Sequence, residues 1–151
     1  MFSRRRILIA VALVGALLLF WYGTRRGADT GGGVAANDPA VVVKVPGPGD
    51  RVLRQSQVGA ELKQGYDGQL IIDGHEIPED QLEGAIPPTS PEYDPTAGVR
   101  PNNKNKVFFV PGTGKRITTL PPGEVQVVLH FWRIQDGPRL AKTISWTFSV
   151  I

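Results

Sequence analysis

Between Glu124 and Ile151 the chain carries two runs of alternating apolar residues with an Asp-Gly pair between them, a pattern that few folds accommodate. The first run is Val125, Val127, Leu129 and Phe131; the second is Ile144, Trp146, Phe148 and Val150. A period of two places each set on one face of a strand. Asp136-Gly137 suits a two-residue type I′ hairpin turn, whose central positions both need positive φ. With that turn, residues whose numbers sum to 273 face each other, so Val127 meets Trp146, Leu129 meets Ile144 and Val125 meets Phe148. Turn chemistry and side-chain period agree on one register. The hairpin itself supplies no chemistry.

The rest of the chain reads in the same alphabet. Val41–Val45 is an expected strand closed by Pro46-Gly47-Pro48-Gly49, and Gln57–Leu62 a second one. Gly65-Tyr66-Asp67-Gly68 reads as a turn and Gln69–Ile72 as a short strand, with Asp73-Gly74 turning tightly into His75-Glu76-Ile77-Pro78. Residues 107–110 and 117–120 complete a set of about seven strands, and only Glu79–Gly84 suggests a helical turn. Between them, Glu79–Asn105 holds prolines at 87, 88, 91, 95 and 101, and is unusually long for a connection. The expected fold is all-β: an Ig-like antiparallel β-sandwich over residues 40–151.

Charge is divided unevenly. Arg4, Arg5, Arg6, Arg25 and Arg26 lie in the first 26 residues, and from Gly27 onward 12 basic residues stand against 14 acidic ones, a net of −2. The high isoelectric point thus belongs to the N-terminal arm, which argues against nucleic acid as a partner of the domain. Without cysteine, disulfides, thiolate metal sites and cysteine catalysis are excluded.

Ile7–Tyr22 is sixteen residues long, free of charge, and bracketed by the arginines. At about 1.5 Å per residue it spans about 24 Å, and Gly23 and Thr24 bring it to the lower edge of what crosses a bilayer core of about 30 Å. Phe20-Trp21-Tyr22 falls where an interfacial aromatic belt belongs. A cleaved signal peptide is the competing reading, but its small-residue site, Val34-Ala35-Ala36, lies more than ten residues beyond the apolar stretch. Ser3-Arg4-Arg5-Arg6-Ile7-Leu8 also loosely matches a twin-arginine export signal. The organisation expected is a cytoplasmic stub (1–6), a transmembrane anchor (7–24), a glycine-rich tether (25–39) and an extracytoplasmic domain, in a bacterial cell membrane. The arginine asymmetry, three before against two after, points the N-terminus inward.

Pro48-Gly49-Asp50, the run from Asp67 to Gly74, Thr119-Leu120-Pro121-Pro122-Gly123 and the closing strand from Ser145 to Val150 together resemble bacterial Ig-like domains of the CopC-like envelope type. The resemblance covers about two-thirds of the chain and implies a fold rather than an activity. Copper-binding members use histidines at the mature N-terminus and often methionines. Here the only methionine is Met1 and no histidine lies near Val41, so no copper site carries over.

Candidate residues are few. His75 and His130, the only histidines, have no recognisable metal-ligand spacing, and no metal or cofactor is expected. Glu79, Asp80 and Glu83 lack the spacing of a calcium loop. Pro111-Gly112-Thr113-Gly114-Lys115 is a turn between strands, not a phosphate-binding loop, and no nucleophile motif is present, so no enzyme is expected. Trp132 and His130 share the hairpin face opposite the core, where an aromatic stacks on a sugar or anchors a protein, or else simply covers the sandwich end. Tyr93 and Arg100 lie in the proline-rich loop, the latter with Asn102, Asn103, Lys104 and Lys106. The functional expectation is a non-catalytic, membrane-anchored module that docks to another membrane or envelope protein. Binding of carbohydrate or cell-wall polymer is the alternative, with a copper carrier a distant third.

Overall fold

A computed structural model describes residues 37–151. The stub, the anchor and most of the tether lie outside the described residues. Among the described residues no helix is long and apolar enough to cross a membrane.

The described chain is built almost wholly from strands: β1 (Val41–Val45), β2 (Arg51–Val52), β3 (Val58–Leu62), β4 (Tyr66–Ile72), β5 (His75–Glu76), β6 (Lys106–Phe109), β7 (Gly123–Arg133) and β8 (Lys142–Val150). They form two sheets, one ordered β1-β3-β6 and one ordered β2-β8-β7-β4-β5. Short 3₁₀ turns occur at Glu79–Gln81 and Pro138–Leu140. Val58, Ala60, Leu62, Val107 and Phe109 from the smaller sheet share one core with Leu70, Ile72 and the inward side chains of β7 and β8.

The β7–β8 ladder has the register that alternation dictates: Val125↔Phe148, Val127↔Trp146 and Leu129↔Ile144. All eight of its inward side chains are buried. At about 1.5–3 kcal/mol for each fully buried large apolar side chain, this hairpin is the main apolar investment of the domain. Trp146 completes its burial by donating Nε1–H to the Pro46 carbonyl at 2.9 Å.

The turn differs from expectation. Asp136-Gly137 is not a two-residue turn: the strands end at Arg133 and resume at Lys142, joined by residues 134–141 with the 3₁₀ turn among them. Gly137 has φ 73° and ψ 174°, and Asp136 does not take positive φ. Pro138 follows directly and begins the 3₁₀ turn, so the chain continues into a wider loop instead of closing. The register survives because packing of the apolar face sets it independently of the loop. The type I′ geometry appears instead at Asp73-Gly74, with φ 49° and 77°, where Ile72 pairs with His75.

Three further strands depart from expectation. Asp67 and Gly68 lie inside β4, the turn being made by the residues just before it with Gly65 at φ 84°. Residues 117–120 form no strand: Leu120 N–H donates to the Arg54 carbonyl and Arg54 Nε–H returns to the Leu120 carbonyl, holding this segment by a reciprocal pair. The expected antiparallel arrangement also has one parallel pair, β2 with β8. After β1 the chain passes through Pro46–Asp50 and changes sheets, and β2 joins the outer edge of β8.

Asp38, assigned to the tether, is fastened to the domain. Its carboxylate accepts from Ala40 N–H at 2.8 Å and from Lys142 Nζ at 3.0 Å. The Ala40 amide holds its pKa below the ordinary 3.8, against an opposing effect of burial that comes second in size, with Lys142 and Lys63 adding to the lowering. A carboxyl whose folded pKa is depressed stabilises the fold above its unfolded pKa, and that contribution fades as pH falls through the folded value. Lys142 is 63 % exposed, so the backbone bond carries most of the effect, about 1 kcal/mol. Asp38→Asn is therefore expected to lower stability by about that amount at pH 6–7, with the gap to the parent closing below pH 4 in urea melts.

Candidate functional site

Where β5 ends, the edge of β4 from Asp67 to Gln69 has no strand beside it; β5 pairs only with Ile71 and Ile72. The chain after β5 returns across this gap: Ile77 N–H donates to the Leu70 carbonyl, and the 3₁₀ turn Glu79–Gln81 follows. Further along the long loop, Arg100 closes the gap. It is 1 % exposed although charged, which requires that its donors be met. Nη1 donates to the carbonyls of Asn103 (3.1 Å), Lys104 (3.4 Å) and Lys106 (3.1 Å), and Nη2 to Asp67 Oδ1 (2.9 Å). The same Asp67 oxygen accepts the Gly68 N–H at 2.7 Å. Arg100 thus fastens the loop to β4 and to the start of β6.

One donor of this arginine is left over. Nε lies 3.5 Å from Glu79 Oε1, close enough for charge attraction but without a hydrogen bond. Among the described residues it is the buried side-chain nitrogen or oxygen that lacks a hydrogen-bond partner. Arg100 lines a cavity of about 390 Å³ together with Asp67, Gln69, Glu76, Glu79 and Trp132. Trp132 stands opposite Asp67 across the β4–β7 ladder, half-buried. Gln69 donates its amide to Glu76 Oε1. Asp67 and Arg100 neutralise each other, and the carboxylates of Glu76 and Glu79 leave the cavity with a net negative charge. A volume of this size is in the range of small-ligand pockets. Among the described residues no three histidine, cysteine or acidic side chains converge as metal ligands, these carboxylates included.

Of the four residues singled out from sequence, Trp132 and Arg100 come together in this cavity. Arg100 has a structural task besides, since its guanidinium braces the loop. His130 shares the sheet face of Trp132 but lies outside the cavity lining, its Nδ1 2.7 Å from Thr143 Oγ1. Tyr93, half-buried, also lies outside it, in a turn where its N–H donates to the Ser90 carbonyl. That stretch is ordered by Asp94, whose carboxylate accepts from the Thr96 hydroxyl (2.7 Å) and amide (2.8 Å) and is thereby held below the ordinary carboxylate range. His75 lines a separate shallow depression with Arg116 and residues 117–119.

Sequence reasoning misses Asp67 because Asp67-Gly68 reads as a turn, and misses Gln69 and Glu76 because without Asp67 in the strand nothing links them to Trp132. As part of a strand they would have read as outward positions of β4 and its neighbour, on the face of Trp132. Glu79 was considered only for calcium, and its approach to Arg100, twenty-one positions on, has no local signal.

No family model matches the chain, and a search of curated proteins found no match.

Proposed function

We propose that this chain is a non-catalytic recognition module, an Ig-like β-sandwich of the CopC-like type without its copper ligands, carried outside a bacterial membrane on the anchor Ile7–Tyr22 and a short tether. The observation that carries the reading is the cavity beside Trp132, whose wall contains a buried arginine N–H with no acceptor. A native fold leaves a buried donor unpaired at a cost of about 1–3 kcal/mol, and such groups call for an explanation. A ligand acceptor that enters the cavity is that explanation. Between docking to an envelope protein and binding of carbohydrate or cell-wall polymer, the concave shape favours the second. Docking against a protein relies on broad faces with buried aromatic anchors at their centre.

The test is photocrosslinking in cells with a probe amino acid at position 132 and, separately, at position 93. Adducts are expected from position 132 and not from position 93, which lies outside the cavity. Adducts confined to position 93, or none from either position, would remove the recognition reading.

A further inference from the structure

We infer that the occupant of the Trp132–Arg100 cavity is an uncharged sugar, a neutral pyranose unit bound through its hydroxyls and one ring face. The inference rests on the recognition reading and specifies its ligand.

Arg100 Nε–H requires an acceptor, and the half-exposed Glu79 carboxylate, its Oε1 3.5 Å away, offers an acceptor beside it. A cationic group, such as an ammonium, only donates; it would meet Glu79 and leave Nε–H as it is. An anion, such as a carboxylate or phosphate, only accepts; it would meet Nε–H while lying against Glu79 and Glu76. A hydroxyl does both at a single atom, accepting from Nε and donating to Glu79 from a position beside the two. A peptide amide also has both functions, but on atoms that point apart. A water molecule can occupy the same place, and a ligand that displaces it must reproduce both bonds to gain affinity, which a hydroxyl does.

The remaining walls extend the match. Glu76 and Gln69 present further acceptors and donors on the same side. Trp132 supplies an aromatic ring at the cavity wall, suited to the apolar C–H face of a pyranose. Adjacent hydroxyls on a ring with one apolar face are the defining chemistry of a sugar, and the negative charge of the cavity selects against uronic and phosphorylated ones.

The test uses the full-length chain in phosphocholine micelles, which carry no sugar, with saturation-transfer NMR and titration. The probes are methyl β-glucoside, methyl β-glucuronoside and a neutral β-glucan hexamer, the last to separate a free sugar from a polymer end. Saturable transfer to the ring C–H protons of a neutral probe is expected, at least about tenfold weaker for the glucuronoside. Trp132→Ala and Glu79→Ala should each weaken it at least about tenfold with an unchanged melting temperature; if either lowers the melting temperature, Trp132→Leu and Glu79→Leu take its place. Equal or tighter binding of the glucuronoside would overturn the neutral-sugar assignment and leave the cavity a recognition site. Absence of transfer to every sugar would also overturn it. In that case adducts at position 132 would preserve the recognition reading with a protein or other ligand, and their absence would remove both.

Discussion

Gly59→Ala is expected to destabilise the domain by about 3–5 kcal/mol, enough to leave much of the chain unfolded in mild urea. Gly59 lies in the middle of β3, between Val45 of β1 and Phe108 of β6. Its φ is 153°, and a Cβ there would stand 2.0 Å from the Val107 carbonyl oxygen and 2.7 Å from Phe108 Cα. Both obstacles are backbone, so no side-chain rotation relieves them. Either β6 separates from β3 or the strand bends, and the buried neighbours Val58 and Ala60 move with it. Gly114→Ala is the matched control: φ is 80° and nothing lies within 4 Å, so only the conformational cost remains, about 1–2 kcal/mol. Urea midpoints of the two variants separate these contributions, and a loss below about 1 kcal/mol at Gly59 would mean that the β3–β6 approach is looser than described.

Arg100→Met carries the second large effect, about 3–5 kcal/mol, the range for removing one partner of a buried ion pair. Methionine retains much of the stem but none of the donors, which leaves the carbonyls of Asn103, Lys104 and Lys106 and the Asp67 carboxylate without them. Asp67 is 18 % exposed and recovers some hydration, so adding Asp67→Asn should restore part of the loss, giving a non-additive double-mutant cycle. Because the guanidinium closes the open edge of β4, amide exchange is expected to rise most over residues 99–106 and 67–69. Uniform exchange across β7 and β8 instead would show that Arg100 does not act as a local brace.

How much of this was legible follows from the range over which each signal operates. The alternation of β7 and β8 fixed their pairing without the turn, because one buried face per strand allows only one register. The turn failed as a signal because Pro138, directly after Asp136-Gly137, opens a 3₁₀ turn and carries the chain past the point of closure. Asp73-Gly74, without such a neighbour, does what the dipeptide suggests. Asp67-Gly68 misleads for another reason: its pairing with Trp132 and Phe131 of β7 outweighs local turn preference, and Gly65 already supplies the reversal. The candidate site was half visible. An aromatic at an outward position of a strand is readable from parity alone, and this found Trp132. The partnership of Arg100 with Asp67 joins positions 33 apart through a loop with no period, and only coordinates show it. Arg100 was noticed for its charge and turned out to matter for its burial.

The placement of β8 has a consequence for how this domain comes into being. β8 lies inside the five-stranded sheet, with β2 on one side and β7 on the other, and contributes Ile144, Trp146, Phe148 and Val150 to the core. Until Val150 has left the ribosome, β7 has a bare edge and β2 has nothing to join. The pairing of residues 51–52 with 149–150 closes nearly the whole domain in sequence, a contact that is slow to find. A growing chain that lacks β8 can pair β4 with β5 and with β7, but its core lacks four large side chains and β2 has no partner, so the domain is completed only when β8 is in place.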